Sequence, residues 1–485
     1  MVFEVAGDPA MSFVAHPDRC IGCMACEEDC PAGSLRVYRL PAGFDESDLP
    51  RPADGLDAGR TWDLVVVGAG PAGLGAAIRG RLLGMDVVVL DRLPSPRRSH
   101  HPDGGLLFAP PDVYRVEDGP AGFRIPSLDF LIPASDIRER LHHFVFMGPG
   151  GVATKRSKET GPGFPAVDKD LLLRRLVERA LDLGAVIAWN TRVQRIRNDG
   201  PGDASVELEG GIALRGRVVI GAEGSTGRLA ARAGAPVNEE PVCWSYGMMA
   251  RFPARPAPVD EAGFMVGRPA GFSPREGFLG YWASGKATTE VMAGTLQRQR
   301  WRVMDRPIQT LLDDIRIRDE RIAHRLGGPW PDWRDAPEVD GCRVFARRLP
   351  RSALANRLIA VGDSLATCGM MTNLVALRTG EIAAETARQA IAGGNMTAAG
   401  MAGYDERVFS LSMVRGLHWM HSLLIEAPLR LSDDNLAALF GILRDLDLGK
   451  VQTGTAGGTW EMIRFFLRNS FSIYRRPDLR KYLIP

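Results

Sequence analysis

The sequence carries almost no net charge: 60 basic and 58 acidic residues in 485 leave +2 at pH 7. Such a balance sets up no field to recruit a polyanion, and no Lys/Arg-rich stripe with interleaved aromatics occurs, so no nucleic acid partner is expected. Met1 to Ala10 lacks a basic segment followed by an apolar run, which removes support for a signal peptide and makes the expected location cytoplasmic. An uninterrupted apolar span is missing as well. The longest charge-poor stretch, Ile359 to Leu377, contains Asp363 and is broken at Thr367-Cys368-Gly369, unlike a bilayer-crossing helix. Internal repeats and low-complexity tracts are absent. Apolar and charged fractions of 45% and 24% are those of an ordinary soluble protein long enough for two or three domains. His418 and His421, three residues apart, have no carboxylate pair near them and read as packing residues, not metal ligands.

Cysteine is sparse, at seven residues, yet four fall in one run, Cys20-Ile-Gly-Cys23-Met-Ala-Cys26-Glu-Glu-Asp-Cys30-Pro31. The C-x2-C-x2-C-x3-C-P spacing lets three thiolates close on one face of a [4Fe–4S] cube, with Gly22 and Ala25 leaving room for sulfide and for amide N–H groups aimed at it. A zinc site more often pairs two separated CxxC knuckles, and a disulfide framework belongs to small secreted chains. Cys20, Cys23 and Cys26 are therefore the first cluster ligands. The fourth position stays open between Cys30, the one local in sequence, and one of Cys243, Cys342 and Cys368. In two-cluster ferredoxins the cysteine before proline serves the other cluster, and no second CxxCxxC run exists here. Residues 1–40 form this ferredoxin-like module, and 41–60, rich in Pro, Gly and Asp, form a linker.

Trp62-Asp-Leu-Val-Val-Val-Gly68-Ala-Gly70-Pro-Ala-Gly73 reads as a buried strand, a glycine turn and a helix start, and Asp86-Val-Val-Val-Leu-Asp91 as the next strand. This is the order of a dinucleotide-binding βαβ unit. Gly68 permits the tight turn, Gly70 lets backbone approach a pyrophosphate at the helix N-terminus, Gly73 allows close helix–strand contact, and Asp91 can accept a ribose hydroxyl. Two further strands end in Gly beside an acid: Val218-Val-Ile-Gly221-Ala-Glu223-Gly224 and Leu358-Ile-Ala-Val-Gly362-Asp363. A second GxGxxG unit is lacking, because Gly148-Pro-Gly-Gly151 has no strand before it, so no separate nicotinamide domain is expected.

In this order the three motifs resemble the FAD-dependent group containing the aromatic hydroxylases, geranylgeranyl reductases and electron-transfer-flavoprotein:quinone oxidoreductases. The resemblance covers about residues 61–400 and implies FAD, with Glu223 and Gly224 beside it and Gly362 and Asp363 at its ribityl chain. Asp103-Gly104-Gly105-Leu-Leu-Phe108 is similar to the glycine loop beside the flavin ring in the quinone oxidoreductases, which also carry one [4Fe–4S] cluster, though at the C-terminal end. Gly277-Phe-Leu-Gly-Tyr281-Trp282 is similar to a Gly-Phe-Leu-Tyr strand of the same proteins and to the aromatic substrate wall of geranylgeranyl reductases. Two places depart from the group: Ser364-Leu-Ala-Thr-Cys368-Gly-Met-Met-Thr-Asn373 replaces a small-residue, Pro- or Gly-rich turn, and Glu223 stands where Asp is commoner. The implied fold class is α/β. A Rossmann-type FAD-binding domain in two pieces, 61–240 and 341–400, would carry an antiparallel-sheet substrate domain at 241–340, the iron–sulfur module and a helical C-terminal tail at 401–485.

A [4Fe–4S] cluster exchanges one electron and FAD one or two, so their union is a converter between a one-electron carrier and a two-electron substrate. The expected donor is a ferredoxin or an electron-transfer flavoprotein, and the expected acceptor a lipophilic small molecule, either a quinone or an isoprenoid double bond. Alkene reduction needs a proton donor, for which Tyr281 and Cys368 are the candidates. The alternative is an electron-relay subunit of a larger complex with no organic substrate of its own. A flavin monooxygenase is disfavoured, since a reducing cluster beside the flavin would compete with controlled oxygen chemistry. In the tail, Glu461, Arg464, Arg468 and Ser472 form one stripe of an amphipathic segment, with Trp460, Ile463, Phe466, Leu467 and Ile473 over the rest. Such a segment either packs on its own protein or lies peripherally on the inner membrane surface.

Overall fold

A computed structural model describes residues 3–6, 11–14, 20, 25–28, 56–94, 103, 105–108, 110, 112–149, 153–157, 163–200, 202–237, 241–253, 260–268, 276–286, 288–298, 313, 332, 335–366, 372–444, 446 and 456–483. Cys23, Cys30, Gly104, Cys368 and linker residues 41–55 lie outside the described residues.

The Val-rich runs form a parallel sheet, because strands apolar on both faces need cover on both. Its strands run in the order Val186–Ala188, Val87–Leu90, Thr61–Val67 and Ala213–Gly221, with Leu358–Ala360 joining the end of the last. The start of Ala213–Gly221 instead pairs antiparallel with Ala204–Leu208, which in turn pairs with Val193–Arg197. Val67, Gly221 and Ala360 fall in one row of the ladder. The three strand–Gly–acid motifs therefore leave the sheet side by side at the carboxyl ends of its strands, where open α/β sheets bind ligands.

Helix Pro71–Leu82, which follows the first motif, crosses helix Asn373–Ala392 backbone to backbone. A Cβ on Gly75 would lie 2.5 Å from the Leu377 carbonyl oxygen and one on Gly380 only 1.9 Å from that of Ala72. Helix Lys169–Asp182 packs alongside, burying Leu172, Leu173, Leu176, Val177 and Ala180 while Asp168 Oδ1 accepts the N–H groups of Asp170 and Leu171 at its start.

The second sheet has seven strands, in the order Ala153–Ser157, His143–Met147, Glu261–Gly267, Glu276–Ser284, Thr288–Gln297, Cys243–Pro253 and Glu338–Ala346. It is antiparallel except where His143–Met147 runs parallel to Glu261–Gly267. This differs from the expected 241–340 segment at both ends, since two strands come from 143–157 and another crosses residue 340. The reason is edge cover. Glu261–Gly267 is buried along most of its length, and His143–Met147 satisfies the ladder groups it would otherwise leave open. All nine residues of Glu276–Ser284 are buried, so this sheet is covered on both faces.

The tail is helical, as expected. A π-helical turn at Ser422–Glu426 continues helix Ser412–His421 and sets Glu426 beside buried His421 and Arg348. His421, with the Arg348 and Arg430 guanidiniums, pulls the Glu426 carboxyl down to about 2. His418 is exposed. The chain end is pinned where Trp419 Nε1 donates to the Tyr482 carbonyl at 2.7 Å. Helix Ala456–Arg475 docks through Phe465 and Ile473, each fully buried apolar side chain being worth about 1.5–3 kcal/mol. Among the described residues no helix is long and apolar enough to cross a membrane.

Candidate functional site

Three glycines of the first motif have different reasons to be glycine. Gly68 has φ +108°, and a Cβ there would lie 2.2 Å from the Ala222 carbonyl oxygen. A Cβ on Gly73 would lie 1.9 Å from the Gly68 carbonyl oxygen. Gly70, the N-cap of Pro71–Leu82, has ordinary φ −75° and ψ 179°, and a Cβ there would meet no protein atom within 4 Å. The protein's own packing explains the first two and leaves the third unexplained. The open space at Gly70 lies over a helix N-terminus that has no side-chain cap and no acid in its first turn, a place suited to an anion.

Asp91 leaves the neighbouring strand half-buried. Its Oδ2 accepts the Ala69 N–H at 2.6 Å and its Oδ1 the Leu93 N–H at 2.7 Å. Burial raises its carboxyl while these two bonds oppose the rise. Each carboxylate oxygen has a second lone pair, so the acid is aimed by the loop and still able to accept a hydroxyl.

At the second motif the structure shows Glu223 capping a helix. Its two oxygens accept the Leu229 and Ala230 N–H groups at 2.9 and 2.7 Å, capping the short helix Arg228–Arg232. One more methylene than Asp gives the reach across the Gly224–Thr226 turn. Gly224 has φ +70°, and the Ser225 and Thr226 carbonyls receive the guanidinium of fully buried Arg347. At the third motif Gly362 has φ +57° and donates its N–H to Thr379 Oγ1 at 2.9 Å. Burial pushes the Asp363 carboxyl up to about 6, with Lys169 and Arg347 pulling down and Asp103 pushing up.

Asp103 opens the glycine loop. It accepts the Gly105 N–H at 2.8 Å, pairs with Lys169 Nζ at 2.6 Å and accepts from Asn373 Nδ2 at 3.3 Å. Gly105 has φ +60°, and a Cβ there would lie 1.8 Å from the Val167 carbonyl oxygen. The loop is stitched to strand Phe164–Val167 by Leu107 N–H to Pro165 and Val167 N–H to Gly105. The starts of helices Lys169–Asp182 and Asn373–Ala392 thus meet at one acidic loop, beside Asp363.

The strand Glu276–Ser284 sends Tyr281 and Trp282 to opposite faces. Trp282 Nε1 donates to Glu261 at 3.2 Å, and its ring fills the space a side chain on Gly263 would need. Strand alternation thus separates the two aromatics, and only one of them faces a given side of the sheet. Tyr281 lies 5.2 Å from Phe264, which stacks on Phe146 and meets Phe144 edge-on, and Leu106 of the glycine loop packs against the same cluster. Its buried hydroxyl has no hydrogen-bond partner among the described residues. Burial raises the phenol well above its usual range, and the Glu290 and Asp103 carboxylates raise it further. Glu290 shares that face. One of its oxygens takes Arg138 and Arg251 at 2.7 and 2.8 Å, and its buried Oε2 has no partner among the described residues.

In the N-terminal module Cys20 is exposed and Cys26 half-buried, at the short helix Ala25–Glu28. Glu27, buried, pairs with Arg192, whose neighbour Thr191 donates its N–H to the Asp91 carbonyl at 2.7 Å. The cysteine helix therefore contacts the parallel sheet near Asp91. Cys243 is fully buried in its strand, and burial pushes its thiol up to about 12, the state of a packing residue. Cys342 lies in the strand Glu338–Ala346.

Residues 13–36 match the 4Fe-4S binding domain family. The sequence is 31% identical to a menaquinone reductase of Mycolicibacterium smegmatis over 178 residues, 35% of this chain and 40% of that protein. It is 25% identical to a digeranylgeranylglycerophospholipid reductase of Methanospirillum hungatei over 407 residues, 81% of this chain and 92% of that one. A geranylgeranyl bacteriochlorophyll reductase-like protein of Thermoplasma acidophilum shares the fold at TM-score 0.62 and 17% identity, with 88% of this chain and 100% of that one covered. Over most of its length the chain is thus similar to geranylgeranyl-reductase-like oxidoreductases.

The sequence alone does not mark Lys169, Arg347 and Glu290. Lys169 follows a helix-capping Asp168, a signal available but silent about Asp103. Glu290 sits in a strand and Arg347 just after one, with nothing local to mark a buried charge; only the packing of the two sheets against the loops reveals them.

Proposed function

We propose that this chain uses FAD and a [4Fe–4S] cluster to pass electrons between a one-electron protein carrier, a ferredoxin or electron-transfer flavoprotein, and a lipophilic acceptor, a quinone or an isoprenoid double bond. The observation that carries this reading is the aromatic wall of Phe144, Phe146, Phe264 and Tyr281, which faces the Asp103–Phe108 loop beside the dinucleotide motifs. Apolar walls with one polar atom suit a long hydrocarbon whose reacting end must be oriented.

The residues present fit FAD. Gly68, Gly70 and Gly73 would receive its pyrophosphate, Asp91 its ribose, and Gly362 and Asp363 its ribityl chain. FAD, when bound, supplies one- and two-electron transfer. The chain's own part is to orient and to hold a proton. The raised phenol of Tyr281 keeps its proton on Oη at neutral pH, where an alkene acceptor requires a donor and a quinone needs little help. Cys368 is the other proton donor proposed.

Anaerobically purified protein should contain about four iron atoms per chain and release FAD, not FMN, on denaturation. Chemically reduced, it should reduce an added quinone or polyprenyl substrate. Failure with both classes, while a ferredoxin is still oxidised, would make the chain an electron-relay subunit. Loss of turnover in a Tyr281→Phe variant with the alkene alone would select the isoprenoid reading.

A further inference from the structure

Helix Ala456–Arg475 was expected to have one polar stripe and one apolar remainder, but its apolar residues divide between two faces. Phe465 and Ile473 are buried, with Met462 and Phe466 packed against the core. Trp460, Ile463, Leu467, Phe471 and Tyr474 are exposed at 65, 44, 72, 63 and 73%. Four of these five are the most exposed large apolar side chains among the described residues. Their spacing places them within an arc of about 80° at the 3.6-residue repeat.

The rim of this stripe has one sign. Arg464, Arg468 and Arg475 are exposed along its adjoining edge, with Arg480 and Lys481 exposed just beyond its end. Over residues 456–483 six basic residues stand against two acidic ones, Glu461 and Asp478, in a chain whose whole net charge is +2. The guanidinium of Arg475 lies 4.0 Å over the Phe471 ring and that of Arg480 5.5 Å over Tyr474. Cations thus ride on the exposed rings, and the Arg480 guanidinium also donates to the Tyr474 carbonyl at 3.2 Å.

We propose that this face is a docking surface for the anionic phospholipid surface of a membrane. The helix lies on that surface, since its opposite face is committed to the protein core and no described helix can span. Trp460 and Tyr474, at the two ends of the stripe, are the residue types that settle at the boundary between headgroups and acyl chains. The arginine row supplies attraction to anionic headgroups, which a neutral apolar partner would leave unused. A second copy of the chain docked antiparallel fits less well, because that symmetric contact would set one arginine row against another. The inference stands apart from the acceptor's identity, although a lipophilic acceptor would be met at the same surface.

The test is vesicle co-sedimentation of the full-length holoprotein. Phosphatidylcholine vesicles containing about 30% phosphatidylglycerol should bind it, pure phosphatidylcholine should bind about tenfold more weakly, and high salt should reverse much of the difference. Leu467→Glu with Phe471→Glu should lower binding to anionic vesicles by about tenfold or more, and Arg464→Glu with Arg468→Glu should remove the preference for anionic lipid. These positions are exposed, so cofactor absorbance and circular dichroism serve as folding controls. Equal binding by wild type and the Leu467→Glu, Phe471→Glu variant, or no binding to anionic vesicles, overturns the proposal. So does a dimer in solution that this variant splits, which would make the face a contact between copies.

Discussion

Asp91 Oδ2 accepts the Ala69 N–H at 2.6 Å, so the acid at the end of one strand fixes the glycine turn at the end of its neighbour. The same carboxylate is the group proposed to meet the ribose. Asp91→Ala then removes a loop constraint and a ligand contact together, each a charge-assisted bond worth about 1.5–3 kcal/mol. FAD affinity, read by titration of the stripped protein, should fall by about one to two decades. Asp91→Asn, which can still accept through one oxygen, should lose less. An unchanged FAD affinity in the alanine variant would detach Asp91 from the cofactor.

The motif glycines separate packing from ligand. Gly73→Ala drives a methyl into the Gly68 carbonyl, and overpacking of that kind costs about 1–3 kcal/mol, so apo stability falls along with FAD binding. Gly70→Ala places its methyl in open space at an ordinary φ and should change apo stability by no more than about 1 kcal/mol, the N-cap preference for Gly over Ala. FAD binding should nonetheless be lost. Denaturation of the two apo variants beside FAD titration distinguishes the cases; full FAD affinity in Gly70→Ala would leave the open space without a ligand.

How much of this was legible in the sequence depends on whether a residue's role is local. The turn at Gly68, the strand ending at Asp91 and the Gly362 turn were readable because glycine spacing and Val runs act on neighbours in the chain. The capping role of Glu223 was not legible because its partners, the N–H groups of Leu229 and Ala230, depend on how the next helix starts. Tyr281 and Trp282 looked equivalent in sequence, and strand alternation separates them. The strand His143–Met147 was missed because parallel pairing with a strand more than a hundred residues away leaves no short-range mark. In helix Ala456–Arg475 apolar periodicity announces an amphipathic element without saying that two faces are apolar and only one is covered.

The Glu27–Arg192 pair joins the cysteine helix to the sheet near Asp91. Glu27 is buried, so Arg192→Glu sets two like charges together and leaves a carboxylate without its cation, a change that strongly destabilises buried pairs. The 4Fe-4S domain should keep its iron but undock, and turnover with a one-electron protein donor should fall while chemically reduced protein still reduces its acceptor. Adding Glu27→Arg should restore part of the loss. A single variant with unchanged donor-driven turnover would show that electrons reach the flavin without this contact.

Asp363 gives a pH dependence whose sign can be worked out. Burial lifts its carboxyl from 3.8 to about 6 in the apo protein. Between those values the folded apo state binds the proton and the unfolded state does not, so acidification through this window favours the apo fold; above about 6 the buried charge opposes it. A ribityl hydroxyl donating to the carboxylate favours the ionised form and pulls the holo value below the apo one. FAD affinity should therefore be level above pH 6 and fall by up to about tenfold per unit as the pH drops beneath it. Lys169, Asp103 and Arg347 surround the group, so Lys169→Met should raise the onset by removing the nearest compensating cation. Asp363→Asn should flatten the profile and bind FAD more weakly at neutral pH. The same slope in Asp363→Asn as in the wild type would assign the titration to another carboxylate and remove Asp363 from the ribityl site.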